Sequence, residues 1–420
     1  MRLISLSSFL FVVLLISCDT ASNVEPIYES YYTKYYGEDG EQEGVGIVHN
    51  TDGSMILLGN SFSQTDPVSP FIVKTDAVGN VLWQRTFKTD NETAVDIELI
   101  NGNQLAVLSN IQTTTTNISN VCLYILGQDG NLVDSLYLQE PVNQISKSVS
   151  QTSDGGFLVT GYQDPDPTRN PGLPPTKSDQ ADIMLLKIDN GLNAATDLSP
   201  GGGEYSGSGV GTFEVSFSNV PYYLLFGSSD QLRPTSSNEY KQCFHLFTTT
   251  TQGTYTGLHG VSGNDLDEQE ASTVLKIPPA LGDGYLVVGT NISNGSSDLY
   301  LTRFNKLESP DKVTKPSLDR IIPLTRTIEG ISAANASPDG YFIVANEVRE
   351  NNKRDIFLLQ IERDGAVVWT NSFGSLEGED TAGGVEALPD GRIAVVGTIQ
   401  LETQRKMVLI VTSTNGRFSD

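Results

Sequence analysis

One unit recurs seven times along the chain, and a chain built this way folds as a stack or ring of small identical sheets, not around one continuous core. The unit is a turn carrying Asp-Gly or a substitute, a short apolar strand that often contains a Gly, a polar loop, and a second apolar strand. Its first half reads Asp52-Gly53-Ser54-Met55-Ile56-Leu57-Leu58-Gly59 and again Asp154-Gly155-Gly156-Phe157-Leu158-Val159-Thr160-Gly161. Further copies begin at Asp283-Gly284, Asp339-Gly340 and Asp390-Gly391, and degenerate ones run through Gly102–Leu108 and Pro221–Gly227. The second half follows each time, as in Phe71-Ile72-Val73-Lys74 and Ile356-Phe357-Leu358-Leu359.

The period is roughly 50 to 65 residues, the range of β-propeller blades. Every element is short, rich in β-branched and aromatic residues, and bounded by Gly, Asn, Asp or Pro, while long segments of helical period are absent. An edge-like strand after the second half, clearest at Val81-Leu82-Trp83 and Val367-Val368-Trp369, brings each unit to four antiparallel strands, A to D. The expectation is an all-β, seven-bladed propeller spanning residues 28–420.

The ends of the chain test that count. The last copy reaches Asn415-Gly416 and stops where strand D should begin. Tyr31-Tyr32-Thr33-Lys34-Tyr35-Tyr36-Gly37 aligns with Val368-Trp369-Thr370-Asn371-Ser372-Phe373-Gly374, with Tyr32 in the place of Trp369. An N-terminal strand over 28–36 would complete the C-terminal blade and leave no unpaired sheet edge at the seam.

Ahead of the repeats, Met1-Arg2 precedes an apolar run from Leu3 to Ile16, too short for a membrane span and of the length of a secretory signal core. It ends Leu15-Ile16-Ser17-Cys18, which resembles the bacterial lipobox. That resemblance implies removal of residues 1–17, lipidation of Cys18, a tether over 18–27, and attachment to the cell envelope, at the outer membrane, without a spanning segment. Asp19 follows the cysteine, and acidic residues there sort lipoproteins differently in different envelopes, so the sequence leaves the periplasmic or surface side open.

The repeats also resemble the Asp-Gly-Gly / Lys-x-Asp-x-x-Gly / Trp blades of secreted and lipid-anchored proteins of Bacteroidota-like bacteria. Lys74-Thr75-Asp76-x-x-Gly79-Asn80-Val81-Leu82-Trp83 looks in addition like blades of the eight-bladed lipoprotein that assists outer-membrane barrel assembly, and quinoprotein dehydrogenase blades look similar. These resemblances imply fold and address and carry over no functional residue.

With 26 Lys+Arg against 51 Asp+Glu, the formal charge of −25 argues against nucleic acid and anionic lipid as partners. Cys122 and Cys243 fall in non-adjacent blades and are expected as buried free thiols. His49, His245 and His259 have no zinc-site spacing, and no nucleophile elbow, P-loop or dinucleotide fingerprint occurs. No cofactor is implied, and a closed ring is expected to be monomeric.

In a propeller the B–C and D–A loops share one face and the tight A–B and C–D turns the other. Acidic residues gather on the loop face, in D–A segments: Glu38, Asp39, Glu41 and Glu43; Asp90 and Glu92; Asp265, Asp267, Glu268 and Glu270; Glu377, Glu379 and Asp380. One reading is a face for a protein partner or an envelope glycan; the other is that these residues cap strand ends and keep an exported protein soluble. The run from Asp265 to Glu270 has oxygen ligands of the kind Ca2+ takes but not the order of an EF-hand loop. Asp52, Asp154, Asp339 and Asp390 fit the turn geometry of Asp-Gly, and Trp83 and Trp369 fit packing between blades. A non-enzymatic binding module leads; an outer-membrane assembly subunit and a propeller glycoside hydrolase or lyase with rim carboxylates are the alternatives.

Overall fold

The computed structural model describes residues 30–419, apart from 64, 88–90, 101–102, 113–117, 165–181, 201–206, 230–241, 260–266, 312–314 and 337–339. The chain forms seven four-stranded antiparallel sheets. Strands A of blades 1 to 7, which line the axis, are Glu41–His49, Glu92–Ile100, Asn143–Gln151, Gly207–Phe217, Glu268–Ile277, Thr327–Ala336 and Thr381–Ala387.

Strands B and C sit in mid-sheet with a neighbouring blade on each face. They are therefore unbroken apolar runs instead of alternating ones. Met55, Ile56, Leu57 and Leu58 of blade 1 are all fully buried, as are Ile393, Ala394, Val395 and Val396 of blade 7. Alternate side chains enter the cores on opposite sides: Met55 and Leu57 pack with blade 7, Ile56 and Leu58 with blade 2.

Blade 7 takes its outer strand from the other end of the chain. Tyr32–Tyr36 runs antiparallel to Gln404–Thr412, with Tyr32 opposite Val411 and Tyr36 opposite Met407. Trp369 lies opposite Gln360 at the same station of blade 6, so the alignment of Tyr32 with Trp369 holds residue for residue. The observed strand starts at Tyr32, and residues 28–29 lie outside the described residues.

The strand D aromatics staple successive blades. Trp83 of blade 1 lies on Gly130 in the C–D turn of blade 2, and its Nε1–H donates to the Gln128 carbonyl (3.0 Å). Trp369 of blade 6 lies on Gly416 of blade 7, and Tyr32 lies on Gly79 of blade 1. A Cβ on Gly416 would fall 2.4 Å from the Trp369 ring, and the turn needs φ +73° there, so glycine is required on both counts. Both tryptophans thus serve packing between blades.

Cys122 and Cys243 are buried thiols of blades 2 and 4. His245 is buried with its Nε2 3.1 Å from the Cys243 sulfur, inside strand C.

Candidate functional site

The first place where chemistry could gather is the axis. Every strand A carries a β-bulge at the same station, with register slips between Gly44 and Gly46, Ala94 and Asp96, Ser146 and Ser148, Gly209 and Gly211, Ala271 and Thr273, Gly330 and Ser332, and Ala382 and Gly384. A bulge leaves one residue out of the ladder and re-aims it. The seven extra residues, Val45, Val95, Lys147, Val210, Ser272, Ile331 and Gly383, line a central cavity of about 340 Å3.

Six of the seven are uncharged. Lys147 is the exception, and no hydrogen bond or ion pair to its ammonium is present among the described residues. Desolvation pushes its pKa down, against the attraction of Glu270.

The carboxylates near it are turned into the wall. Strand A is an inner edge whose outward N–H groups have no strand partner. Asp96 of blade 2 accepts from the backbone N–H of Val149 (2.9 Å) and Glu98 from that of Gln151 (2.9 Å), both on strand A of blade 3. Burial raises Asp96 to about 6 and Glu98 to about 8, the latter helped by the Asp96 charge. At the seam of blades 7 and 1, His49 Nδ1 is 3.2 Å from Glu386 Oε2, and that hydrogen bond raises the imidazole pKa. Each of these axial groups lies singly within its repeat, so the repeat pattern does not mark it. Only the bulge, a feature of pairing, brings them to one level.

The second place is the loop-rich face. A cleft of about 430 Å3 opens there between the D–A segment entering blade 1 and the B–C loop of that blade. Glu38, Asp39 and Asp66 line it together with Phe62, Pro67 and Phe71, with Arg85 at its outer wall. Arg405 reaches across from blade 7, pairing through Nε with Glu41 (2.7 Å) and through its other nitrogen with Glu43, while its guanidinium covers the Phe62 ring 5.0 Å from the centroid. Gln84 donates to Glu38 (2.8 Å).

The remaining acidic residues of this face do not converge. Arg354, at the station of Arg405 one blade earlier, pairs with Glu329 (2.9 Å) and Glu379 (2.8 Å). Asp380 is buried and accepts from the Ser375 hydroxyl (2.9 Å) and the Gln400 N–H (2.7 Å), pinning the loop before strand A of blade 7. The carbonyl of Glu377 takes the Lys353 ammonium. Glu92 is buried and accepts from the Ser109 and Tyr124 hydroxyls.

Asp267 accepts from Asn291 (3.2 Å), and Glu268 is exposed beside it. Burial raises Glu270, with the Glu268 charge adding to the effect. Glu41, Glu43, Glu92, Glu268 and Glu270 lie in strand A, not in loops as the sequence reading had them, because pairing with strand B runs on past the bulge. Asp90, Asp265 and Cys18 fall outside the described residues. Among the described residues no three His, Cys, Asp or Glu side chains stand close enough to hold a metal ion.

Seven blades, each of four antiparallel strands in a ring, define a seven-bladed β-propeller. No family model and no curated protein matches the chain. Among solved structures it is similar to a chain of Kuenenia stuttgartiensis hydrazine synthase, with a TM-score of 0.50 at 12% identity over 86% of this chain and 94% of that one. It is also similar to the β-propeller domain of the Trilobed protease from Pyrococcus furiosus, at a TM-score of 0.46 and 9% identity over 90% and 98% of the two chains. At such identities the likeness concerns the fold alone.

Proposed function

We propose that this propeller is a cell-envelope lipoprotein of the outer membrane that holds a protein partner or an envelope glycan through its loop-rich face, without catalysis. In this reading residues 1–17 are removed, Cys18 carries the lipid, residues 18–27 are the tether, and the blades resemble those of Bacteroidota-like lipoproteins because they share that address. The observation that carries the binding role is the cleft beside blade 1. It joins the apolar walls Phe62, Pro67 and Phe71 to the carboxylates of Glu38, Asp39 and Asp66, and a pocket of mixed apolar and polar lining on a rigid scaffold is the usual form of a binding site. Glu41, Glu43, Glu92, Glu379 and Asp380 of that face are engaged within the fold, while in the cleft three carboxylates stand beside apolar walls.

Affinity purification of the tagged lipoprotein from gently solubilised native membranes tests the reading. The expected result is a stoichiometric companion that is lost when Glu38→Lys, Asp39→Lys and Asp66→Lys are combined. Recovery of the chain alone, with no glycan retained on an array of envelope polysaccharides, would overturn it. Cys18→Ser is expected to release the protein from membranes and to abolish incorporation of labelled palmitate.

A further inference from the structure

We propose that the tight-turn rim of blades 6, 7, 1 and 2 lies on the lipid surface, so that the loop-rich face and its cleft point away from the membrane. The proposal rests on reading Cys18 as the lipid anchor, and adds which way the anchored ring faces.

The rim is marked by paired exposed aliphatic side chains at the start of strand D; among the described residues the other large exposed aliphatics stand singly, Val220 at the A–B turn of blade 4 and Leu376 and Leu401 on the loop-rich face. Strand D begins just after the C–D turn, and its first two residues are Val81 and Leu82 in blade 1, Leu132 and Val133 in blade 2, and Val367 and Val368 in blade 6. All six are between 38 and 57% exposed. Their positions correspond: the register slips at Lys74/Thr75, Ile125/Leu126 and Gln360/Ile361 make Leu82, Val133 and Val368 the bulged residue of their strand. The same stations in blades 3, 4 and 5 hold Ala194-Ala195, Tyr255-Thr256 and Pro316-Ser317. Tyr255 turns inward, its hydroxyl donating to the Leu198 carbonyl (3.0 Å). The aliphatic ends therefore belong to one arc of the ring.

In blade 7, at the middle of that arc, the station is Ser30-Tyr31, where the N-terminal strand enters. The chain thus joins the ring between the aliphatic ends of blade 6 on one side and those of blades 1 and 2 on the other. Residues 19–29 separate Cys18 from this point, a span of at most about 40 Å when extended. An anchor tied here keeps the bilayer within reach of this rim, and aliphatic side chains held at such a surface sink into the headgroup boundary. The carboxylates of the neighbouring turns are folded back on their own backbone: Asp76 accepts from the N–H groups of Val78 and Asn80, Asp129 from that of Asn131, and Asp364 from that of Ala366. Beside the entry point Arg392 donates to the carbonyls of Ser30 (3.1 Å) and Ala77 (2.9 Å), fixing the first residues of the strand to the rim. Because the net charge is −25, the fitting surface is a zwitterionic one.

A polarity-sensitive thiol dye placed at Leu132→Cys or at Leu376→Cys reads the orientation. Cys122 and Cys243 are buried, so the dye goes to the new thiol, and Leu376 is 92% exposed on the loop-rich side. The chain is held on phosphatidylcholine vesicles by a histidine tag in place of Cys18 and a nickel-chelating lipid, so the result does not depend on lipidation. We expect the Leu132→Cys dye to brighten at least threefold and to be quenched by a bilayer-embedded nitroxide, the Leu376→Cys dye to stay unchanged, and Leu82→Ser with Val133→Ser and Val368→Ser to cut the signal of a Val81→Cys dye at least by half. No response at Leu132→Cys, or a response at Leu376→Cys, overturns the proposal. The intact mass of the protein from native membranes judges the Cys18 reading separately: an unmodified cysteine there would sink the anchor, whatever the dyes report.

Discussion

Replacing Gly416 by alanine tests the stapling of blade to blade most sharply. The cost has two parts that a control can separate. The turn needs φ +73° at Gly416, and a left-handed alanine costs about 1 kcal/mol net once the stiffer unfolded chain is counted. The new methyl would also lie 2.4 Å from Trp369 Cζ3 and 2.6 Å from Asn371 Nδ2. Neither neighbour gives way freely: Trp369 Nε1 donates to Gln360 (2.7 Å), and Asn371 donates to the Gly416 carbonyl (3.0 Å). Forcing the ring aside adds about 1–3 kcal/mol of overpacking. Gly295 has φ +80° and nothing within 4 Å of an added Cβ, so Gly295→Ala carries the backbone cost alone. Urea denaturation of the chain begun after Cys18 should therefore place Gly416→Ala below Gly295→Ala by about 1–3 kcal/mol at unchanged m-value. In the Trp369→Ala background the gap should close. Equal losses for the two glycines, or strict additivity with Trp369→Ala, would refute the account of the staple.

Other consequences follow from the seams and the axis. Arg405→Met removes both ion pairs to Glu41 and Glu43 and the cover on Phe62, and should lower stability by about 1–3 kcal/mol in the same assay and weaken partner binding at the cleft. Asp96 and Glu98 bind their protons more tightly folded (about 6 and about 8) than unfolded (3.8 and 4.5), so stability is greater in mild acid and falls as pH rises from about 4.5 through 8. The loss should amount to several kcal/mol, and Glu98→Gln should flatten most of it; a stability rising from pH 6 to 8 would contradict the axial account.

Fold and register were legible because each repeat carries them locally. Asp-Gly sets a turn, the apolar run after it sets strand B, and Trp369 gives a fixed point against which Tyr32 can be laid. The acidic residues were less legible. Glu41 and Glu43 read as loop because charged residues are rare in buried strands, yet their partner Arg405 stands at the far end of the chain, brought there only by closure of the ring. Arg354 joins Glu329 to Glu379 across a seam in the same way. The axial level of Lys147, Asp96 and Glu386 was hidden for a related reason. A bulge is a property of two paired strands, and nothing in Ile145-Ser146-Lys147-Ser148 announces it.

Closure of the ring by the N-terminal strand is the claim on which both the completeness of blade 7 and the orientation at the membrane rest. Hydrogen exchange followed by mass spectrometry measures it in the unmodified chain. If residues 32–36 pair with 404–412, peptides covering them exchange as slowly as those covering strand D of blade 6, residues 367–373. Exchange of 32–36 at the rate of free chain, while 404–412 stays protected, would leave blade 7 with three strands and the account without its closure.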